Sequence, residues 1–447
     1  MDEGNNYRLQ TLLPAVSVGL LTMAFIVAKT GRDALFFQGK GLFQLPMAYM
    51  GIGLSSLPAA FLYVQAMKIW GARAARVGII VFAAAVMAAF VPFLPQMHYS
   101  VLLSLFIFIP TIFGPLFATI WLQASELFEN APKAVAARSF SRIGATSLAG
   151  GMIGGFLSKG LAPYLEPQWL VFLGALITLI AAGAAVKTHR SFPLDAGTKR
   201  ERREGQKGGV SIAFSKRYAR MLLLISMTGA LAGLFIDFQF YAAVSSAQMG
   251  SKGNASFFAN FYIMLNLGSL ILQLFAAPKI QDKLGLRGGL LILPLALLGG
   301  ATFVTAAATA LSRSVLKVTE GGLKSSIHRS IWEQAFISVD SSERSVVKVF
   351  VDGIGARIAE GLGATLLFVW LMHIDTSDPT GLNTGWIAWM LLLTAAVWLW
   401  LTRNLRLDLV RGSSAAPSVV PVRQSEIECE RFPDQCPCTT EWGKGIK

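Results

Sequence analysis

The sequence predicts an all-α membrane protein with twelve transmembrane helices in two six-helix halves. Three observations predict it. First, 54% of the 447 residues are hydrophobic and only 14% are charged, against about 45–50% and about 25% in a soluble domain. Second, the apolar residues fall in blocks of about 20, the length that crosses a bilayer as a helix. Third, a basic polar stretch parts those blocks into six and six. A soluble enzyme, a disordered chain and a disulfide scaffold are excluded on composition alone.

The first block, 9–31, follows an acidic, polar N-terminus, 1–8, that lacks the basic n-region of a cleaved leader, so it is expected to stay as span 1. Spans 2 to 6 are expected near 45–67, 77–97, 100–124, 141–163 and 168–187, completing an N-terminal bundle over 9–187. A cytoplasmic linker is read over 188–220: Lys187 to Arg220 holds ten basic residues and three acids. Spans 7 to 12 are expected near 221–247, 256–277, 288–311, 315–338, 349–372 and 384–402, a C-terminal bundle over 221–402. Residues 403–447, rich in Ser, Pro and charge, read as a disordered cytoplasmic tail. All three cysteines, Cys429, Cys436 and Cys438, lie in that tail. They cannot staple the apolar body, and no neighbouring His or fourth Cys completes a metal site.

The net charge of +14 would point to nucleic acid in a soluble protein. Here it reads as topology, because basic residues collect in cytoplasmic loops. With both termini inside, the inner loops and N-terminus carry about 22 Lys/Arg and the outer ones about 6, counting Lys29 and Arg32 as outer. The expectation is a monomeric, multi-pass protein of the plasma membrane, the inner membrane in a bacterium, with both termini cytoplasmic. Its expected partners are the lipid bilayer and a small charged solute, with no nucleic acid. No metal or other cofactor is expected. No phosphate-cradling Gly-rich loop followed by Lys-Ser/Thr is present, so any pumping is expected to run by gradient or exchange.

The halves look related. Lys68-Ile-Trp-Gly71-Ala-Arg73 follows span 2 and Asp282-Lys283-Leu-Gly285-Leu-Arg287 follows span 8, with Gly and Arg at one offset. Arg138-Ser-Phe140-Ser-Arg142-Ile-Gly144 follows span 4, and Lys348-Val-Phe350-Val-Asp352-Gly-Ile-Gly355 follows span 10. Paired loop motifs in a 6+6 layout are the mark of parallel-repeat transporters. The 2–3 and 8–9 loops resemble the loop motif of the major facilitator superfamily, although Lys68 stands where that motif has an acid.

Ionisable groups inside spans are costly, so each asks for a reason. Span 10 carries Lys317, Glu320, Lys324 and His328 at steps of 3, 4 and 4, one face of a helix. Such a stripe lines a wet cavity, pairs with charges on neighbouring helices, or belongs to a loop. Span 1 ends in Lys29-Thr-Gly-Arg32-Asp33, where Arg32 is either a fork for phosphate or carboxylate or a helix-end anchor. Asp237 stands alone in an apolar run, as an ion site or as the partner of a base across the cavity. Span 11 carries Asp352, Arg357 and Glu360. The candidate solute-binding residues are therefore Lys29, Arg32, Asp237, Lys324, His328 and Arg357. Candidate coupling or ion-pairing acids are Asp33, Glu320, Asp352 and Glu360. Gly150, Gly151, Gly154 and Gly155 in span 5, with Gly353, Gly361 and Gly363 in span 11, form small-residue faces for close helix approach.

At Lys29-Thr-Gly-Arg32-Asp33-Ala-Leu, at Arg138 to Gly155 and at Lys348-x-x-x-Asp352 to Ala364, the chain resembles the nucleotide transporter family of plastid and bacterial ATP/ADP translocases, a divergent major facilitator branch. The resemblance covers most of 8–402 in layout. It implies twelve spans, an organic anion, phosphorylated or not, as solute, and exchange (antiport) or proton coupling. The family's basic residue at the end of span 1 falls on Arg32, followed by Asp33, and its acid in span 7 falls on Asp237. Its acid near the fourth or fifth span has no counterpart, and its late basic residue falls on Glu360 beside Arg357, a charge reversal. The sequence thus leads to a secondary transporter rather than an enzyme, with a generic proton-coupled metabolite or drug transporter as the nearest alternative. A lipid-handling membrane enzyme would rest on His373 and Asp378 alone, and a non-transporting sensor on the tail.

Overall fold

The computed structural model describes residues 3–38, 41–96, 98–128, 133–192, 216–336, 339, 347–373 and 385–405. The interior of the expected linker, the tail beyond Leu405 with its three cysteines, and Asp378 lie outside the described residues.

The helices are α1 (Glu3–Phe36), α2 (Gly41–Phe90), α3 (Tyr99–Leu127), α4 (Lys133–Leu161), α5 (Pro167–Ser191) and α6 (Arg217–Ser246). They continue with α7 (Gly250–Ile271), α8 (Ala277–Ala306), α9 (Ala310–Leu323), α10 (Arg329–Ala335), α11 (Ala356–Leu371) and α12 (Gly385–Arg403). Two of them hold a break at the expected loop glycine: α2 at Gly71 (φ 82°) and α8 at Gly285 (φ 63°). Only glycine takes that backbone region without steric cost. The matched loops are thus two tight reversals built on one device. Each is followed by an arginine two residues on, and Arg287 donates from Nη2 to the Arg403 carbonyl at the end of α12.

Among the described residues, ten helices are long and apolar enough to cross a membrane, at ten of the twelve expected spans. The other two expected spans are helical but more polar. Span 5 falls in α4, which carries Arg142 and Lys159 and the glycine face. Span 10 is α9 continued through a π-helical turn, Lys324–His328, into α10. It begins where Thr309 and Ser312 exchange side-chain and backbone hydrogen bonds at 3.1 Å, a capping box that supplies donors and acceptors the first turn lacks. Further π-helical segments interrupt the C-terminal half at Leu272–Ala276 and Val349–Gly355.

Residues up to Leu405 make one compact unit. Within it α1 is the most enclosed helix, packed on α4 and α5 and also meeting α3 and α7. The expected glycine face explains the first contact: a Cβ on Gly154 would stand 2.7 Å from the Met23 carbonyl oxygen. Gly155 turns the other way, toward α7, where its Cβ would stand 2.7 Å from Ile263 Cγ1. On α11, Gly363 sits against Leu231 and Leu234 of α6.

Two of the contacts are reciprocal. By span number, α4 is span 5, α7 span 8, α2 begins as span 2 and α11 is span 11. α4 packs on α7 and α2 packs on α11. Adding six to each member of the pair 5–8 gives 11–2, the other pair. Two halves related by a twofold operation would produce such an exchange.

Candidate functional site

Between the halves lies a cavity of about 280 Å³. Its N-terminal wall is Phe25, Ile26, Lys29 and Arg32 of α1, Tyr49 and Ile52 of α2, and Phe106 and Pro110 of α3. The C-terminal wall is Asp237, Phe240 and Tyr241 of α6, Phe261, Tyr262 and Leu265 of α7, Lys317 and Gly321 of α9, and Arg357 of α11. Seven of these seventeen residues are aromatic and five are charged, a lining that joins apolar rings with a set of convergent polar groups, as small-molecule sites do.

Two ion-pair clusters flank the cavity. On α1, Arg32 (3% exposed) donates from Nε and Nη2 to Asp33 Oδ1 at 2.7 and 2.5 Å, and its guanidinium lies 4.0 Å from the centre of the Phe106 ring. Lys29 Nζ reaches Asp33 Oδ2 at 3.2 Å, one turn back. Asp33 is fully buried, and a carboxylate in that position requires these two cations. On the opposite half, Lys317 Nζ lies 2.7 Å from both Asp237 Oδ1 and Glu320 Oε2, and Lys324 Nζ lies 3.1 Å from Glu320 Oε1. Arg357 pairs with Glu360 at 2.6 Å, one turn along α11.

Tyrosines join the clusters across the halves. Tyr262 and Tyr241 of the C-terminal half donate to Asp33 Oδ2 at 2.6 and 3.2 Å. Lys29 donates to both of their hydroxyls. In the other direction Tyr49 of α2 donates to Asp237 Oδ2 at 2.6 Å. Each half therefore offers one carboxylate, Asp33 fully buried and Asp237 partly exposed, to tyrosine hydroxyls of the other.

At the end of the bundle where α1 terminates, an aromatic layer closes the cavity. Phe37 stacks on Tyr241 at 4.1 Å and lies 6.2 Å from Phe258, while Phe36 and Phe106 meet at 4.4 Å. All five rings are 3% exposed or less. Beyond them Glu166, just before α5, forms an ion pair with Lys252 in the first turn of α7 at 3.2 Å. On the other side of the Asp237–Lys317 contact, α9 runs away from this layer, and there Lys324 is half-exposed.

The structure thus brings Lys29, Arg32, Asp237 and Arg357 together around one cavity. Asp33, Glu320 and Glu360 stand behind them as partners, and Lys324 joins through Glu320. It does not bring His328 there. His328 stacks on Trp332 at 5.8 Å and meets Trp398 edge-on at 5.7 Å. The cause is the π-helical turn Lys324–His328, whose extra residue rotates everything after Lys324 off the 3-4-4 face. Asp352 also lies apart, accepting from Trp332 Nε1 at 2.9 Å within the π segment Val349–Gly355. Lys29 and Arg32, counted as outer loop residues in the sequence, belong to α1, which runs five residues past the expected end at 31.

Tyr49, Tyr241 and Tyr262 escaped the sequence reading. Their signal was present: a phenol inside an apolar span needs a partner for its hydroxyl, and Tyr241 follows Asp237 by one helical turn. Lys317 was read as part of the stripe but not as a site residue.

No family model matches the chain, and no curated protein matches its sequence. Solved structures do. The chain superposes on the crystal structure of the nucleoside transporter NupG with a TM-score of 0.61, at 11% identity, over 91% of this chain and 100% of that one. A point-mutant form of the same transporter gives a TM-score of 0.63 at 13% identity, over 89% of this chain and 99% of that one. The chain therefore shares the all-helical fold of these two structures, and with ten membrane-capable helices among its described residues it has a multi-pass membrane architecture.

Proposed function

We propose that the chain is a secondary transporter that works by alternating access on a ring-bearing polar solute of the nucleoside or nucleotide class. The observation that carries this is the cavity itself. It lies between two related halves, has walls of Phe and Tyr, and is crossed by hydrogen bonds that each tie a carboxylate of one half to a tyrosine of the other. A base ring would stack on the aromatic walls. A hydroxyl or anionic group of the solute would compete with Asp33 and Asp237 for Tyr262, Lys29, Tyr49 and Lys317. Solute binding would thus loosen the ties between halves, and this differential interaction is what a solute must have to shift a conformational equilibrium.

In this reading the two polar helices, α4 and α9–α10, complete a set of twelve spans around the cavity. Both termini face the cytoplasm, so the aromatic layer and the Glu166–Lys252 pair close the outer side. The membrane is the bacterial inner membrane and the unit is a monomer. Coupling is by exchange or by protons, with Asp33, Asp237 and Glu320 as the carboxylates in position. The nucleoside reading draws on the named activity of the structural neighbours. The phosphorylated alternatives draw on the ATP/ADP translocase resemblance and on Lys29, Lys317 and Arg357.

Uptake into proteoliposomes tests the proposal. Labelled nucleosides, nucleotides and dicarboxylates are offered with and without an imposed pH gradient, and with and without internal unlabelled solute. Saturable uptake of a nucleoside or nucleotide, competed by its unlabelled form, is expected. Saturable uptake of none of them overturns it.

A further inference from the structure

A second cavity, of about 330 Å³, lies at the opposite end of the bundle from the aromatic layer, where the Gly71 reversal of α2 meets the last turn of α5. Its lining is Arg73, Ala74, Val77, Val186, His189 and Arg190. Three of these six are basic and none is acidic. Arg76, 3% exposed, lies one turn beyond Arg73 on the same helix.

His189 is the informative residue. It is 6% exposed, and both of its ring nitrogens are buried without a hydrogen-bond partner. An imidazole always has at least one N–H to donate, and a buried polar group without a partner calls for an explanation. An anionic oxygen seated in the cavity supplies it. The guanidinium groups of Arg73 and Arg190 add planar donor forks of the kind that grip phosphate oxygens bidentately. Ala74, Val77 and Val186 give the cavity an apolar side.

The setting favours a phosphate carried by a lipid. Ile69 and Trp70, adjoining Arg73, are 74% and 68% exposed. A bulky apolar pair with an outward indole is what membrane proteins place at the boundary of the bilayer. Basic pockets between helices at that depth bind anionic headgroups. We propose that the Arg73–His189–Arg190 cavity is a phosphoryl-binding site for the headgroup of an anionic phospholipid. None of its residues lines the central cavity, so the site stands independently of the transport reading.

Thermal unfolding of the delipidated full-length protein in detergent tests the site. The probes are phosphatidylglycerol, a phosphate-free glycolipid with the same chains, and inorganic phosphate. Phosphatidylglycerol is expected to raise Tm by on the order of 3 °C more than the glycolipid. The double variant Arg73→Gln/Arg190→Gln is expected to lose most of that difference. Because the readout is a difference between lipids, a general loss of stability in the variant does not imitate the result. Arg190→Gln alone, at an exposed position of the last turn, serves if the double variant does not purify. A Tm rise with inorganic phosphate alone, lost in the variant, upholds the phosphoryl site but assigns it to a soluble ligand. Equal shifts with both lipids and none with phosphate, or a full phosphatidylglycerol shift in the variant, overturn the proposal.

Discussion

Asp33 sits where two demands meet. Its carboxylate neutralises Arg32 and Lys29 within α1, and it accepts the hydroxyl hydrogen bonds of Tyr262 and Tyr241 from the other half. The two demands separate by mutation. Asp33→Asn leaves a buried guanidinium without its counter-charge, which costs about 3–5 kcal/mol, so a large fall in Tm and loss of uptake are expected. Tyr262→Phe keeps the ion pairs and removes two hydrogen bonds between the halves, Tyr262 to Asp33 and Lys29 to Tyr262, each worth ~1 kcal/mol. Its Tm is expected to fall by a few degrees at most, while spin labels on the two halves report a wider distance distribution. If both variants gave the same Tm loss and the same distances, the tie would have no separate role. Lys317→Ala gives a third test. It leaves Asp237 and Glu320 facing each other without the cation now 2.7 Å from each, so uptake is expected to drop at least tenfold, and Lys317→Arg to restore part of it. At this scale the sequence revealed the charges and concealed their partners. A lone carboxylate or lysine in an apolar span is conspicuous because burial makes it expensive. Tyr49, Tyr241 and Tyr262 are not, because tyrosine is at home in an apolar span and only the fold shows where its hydroxyl points.

Among the elements, α4 serves two interfaces with consecutive glycines. A Cβ at Gly154 would press on the Met23 backbone of α1, inside the N-terminal half, whereas one at Gly155 would meet Ile263 of α7, across the halves. Gly154→Ala is therefore expected to lower Tm, by the ~1–3 kcal/mol typical of overpacking, because a backbone oxygen cannot step aside. Gly155→Ala is expected to cost less stability and to cut the maximal uptake rate by more than half. Proteoliposome uptake and thermal unfolding on the same preparations check the contrast, and a Tm loss at Gly155 as large as at Gly154 would count against it. The small-residue face was legible from spacing alone, as was the reversal at Gly71 and Gly285, because the glycine offset recurs. The phase of span 10 was not. A 3.6-residue period carries His328 onto the face of Lys317, and the π-helical turn at Lys324–His328 moves it to Trp332 and Trp398 instead. Nothing in the residue types of Lys-Ser-Ser-Ile-His announces a wider turn.

For the molecule as a whole, the repeat was readable because it is written twice. The reciprocal packing of α4 on α7 and of α2 on α11 is what such a repeat would produce. What sequence could not supply is the state of the cavity, since which end is closed depends on how the halves lean. Here the closed end is marked by Phe37 on Tyr241 and, farther out, by Glu166 with Lys252. The exposed ion pair contributes little energy by itself, so the aromatic layer must do most of the closing, and the pair serves as a marker of position. That makes it a good place for a covalent tie. With the three tail cysteines replaced by Ser, Glu166→Cys/Lys252→Cys joined by a short cleavable thiol cross-linker holds this end shut. If the halves rock about the central cavity, uptake is expected to fall to background on cross-linking and to return on cleavage. Solute binding to the tied protein, measured in detergent from the other end, is expected to persist. Uptake that continued at full rate with the tie in place would mean that the halves need not part between α5 and α7, and alternating access in this form would fail.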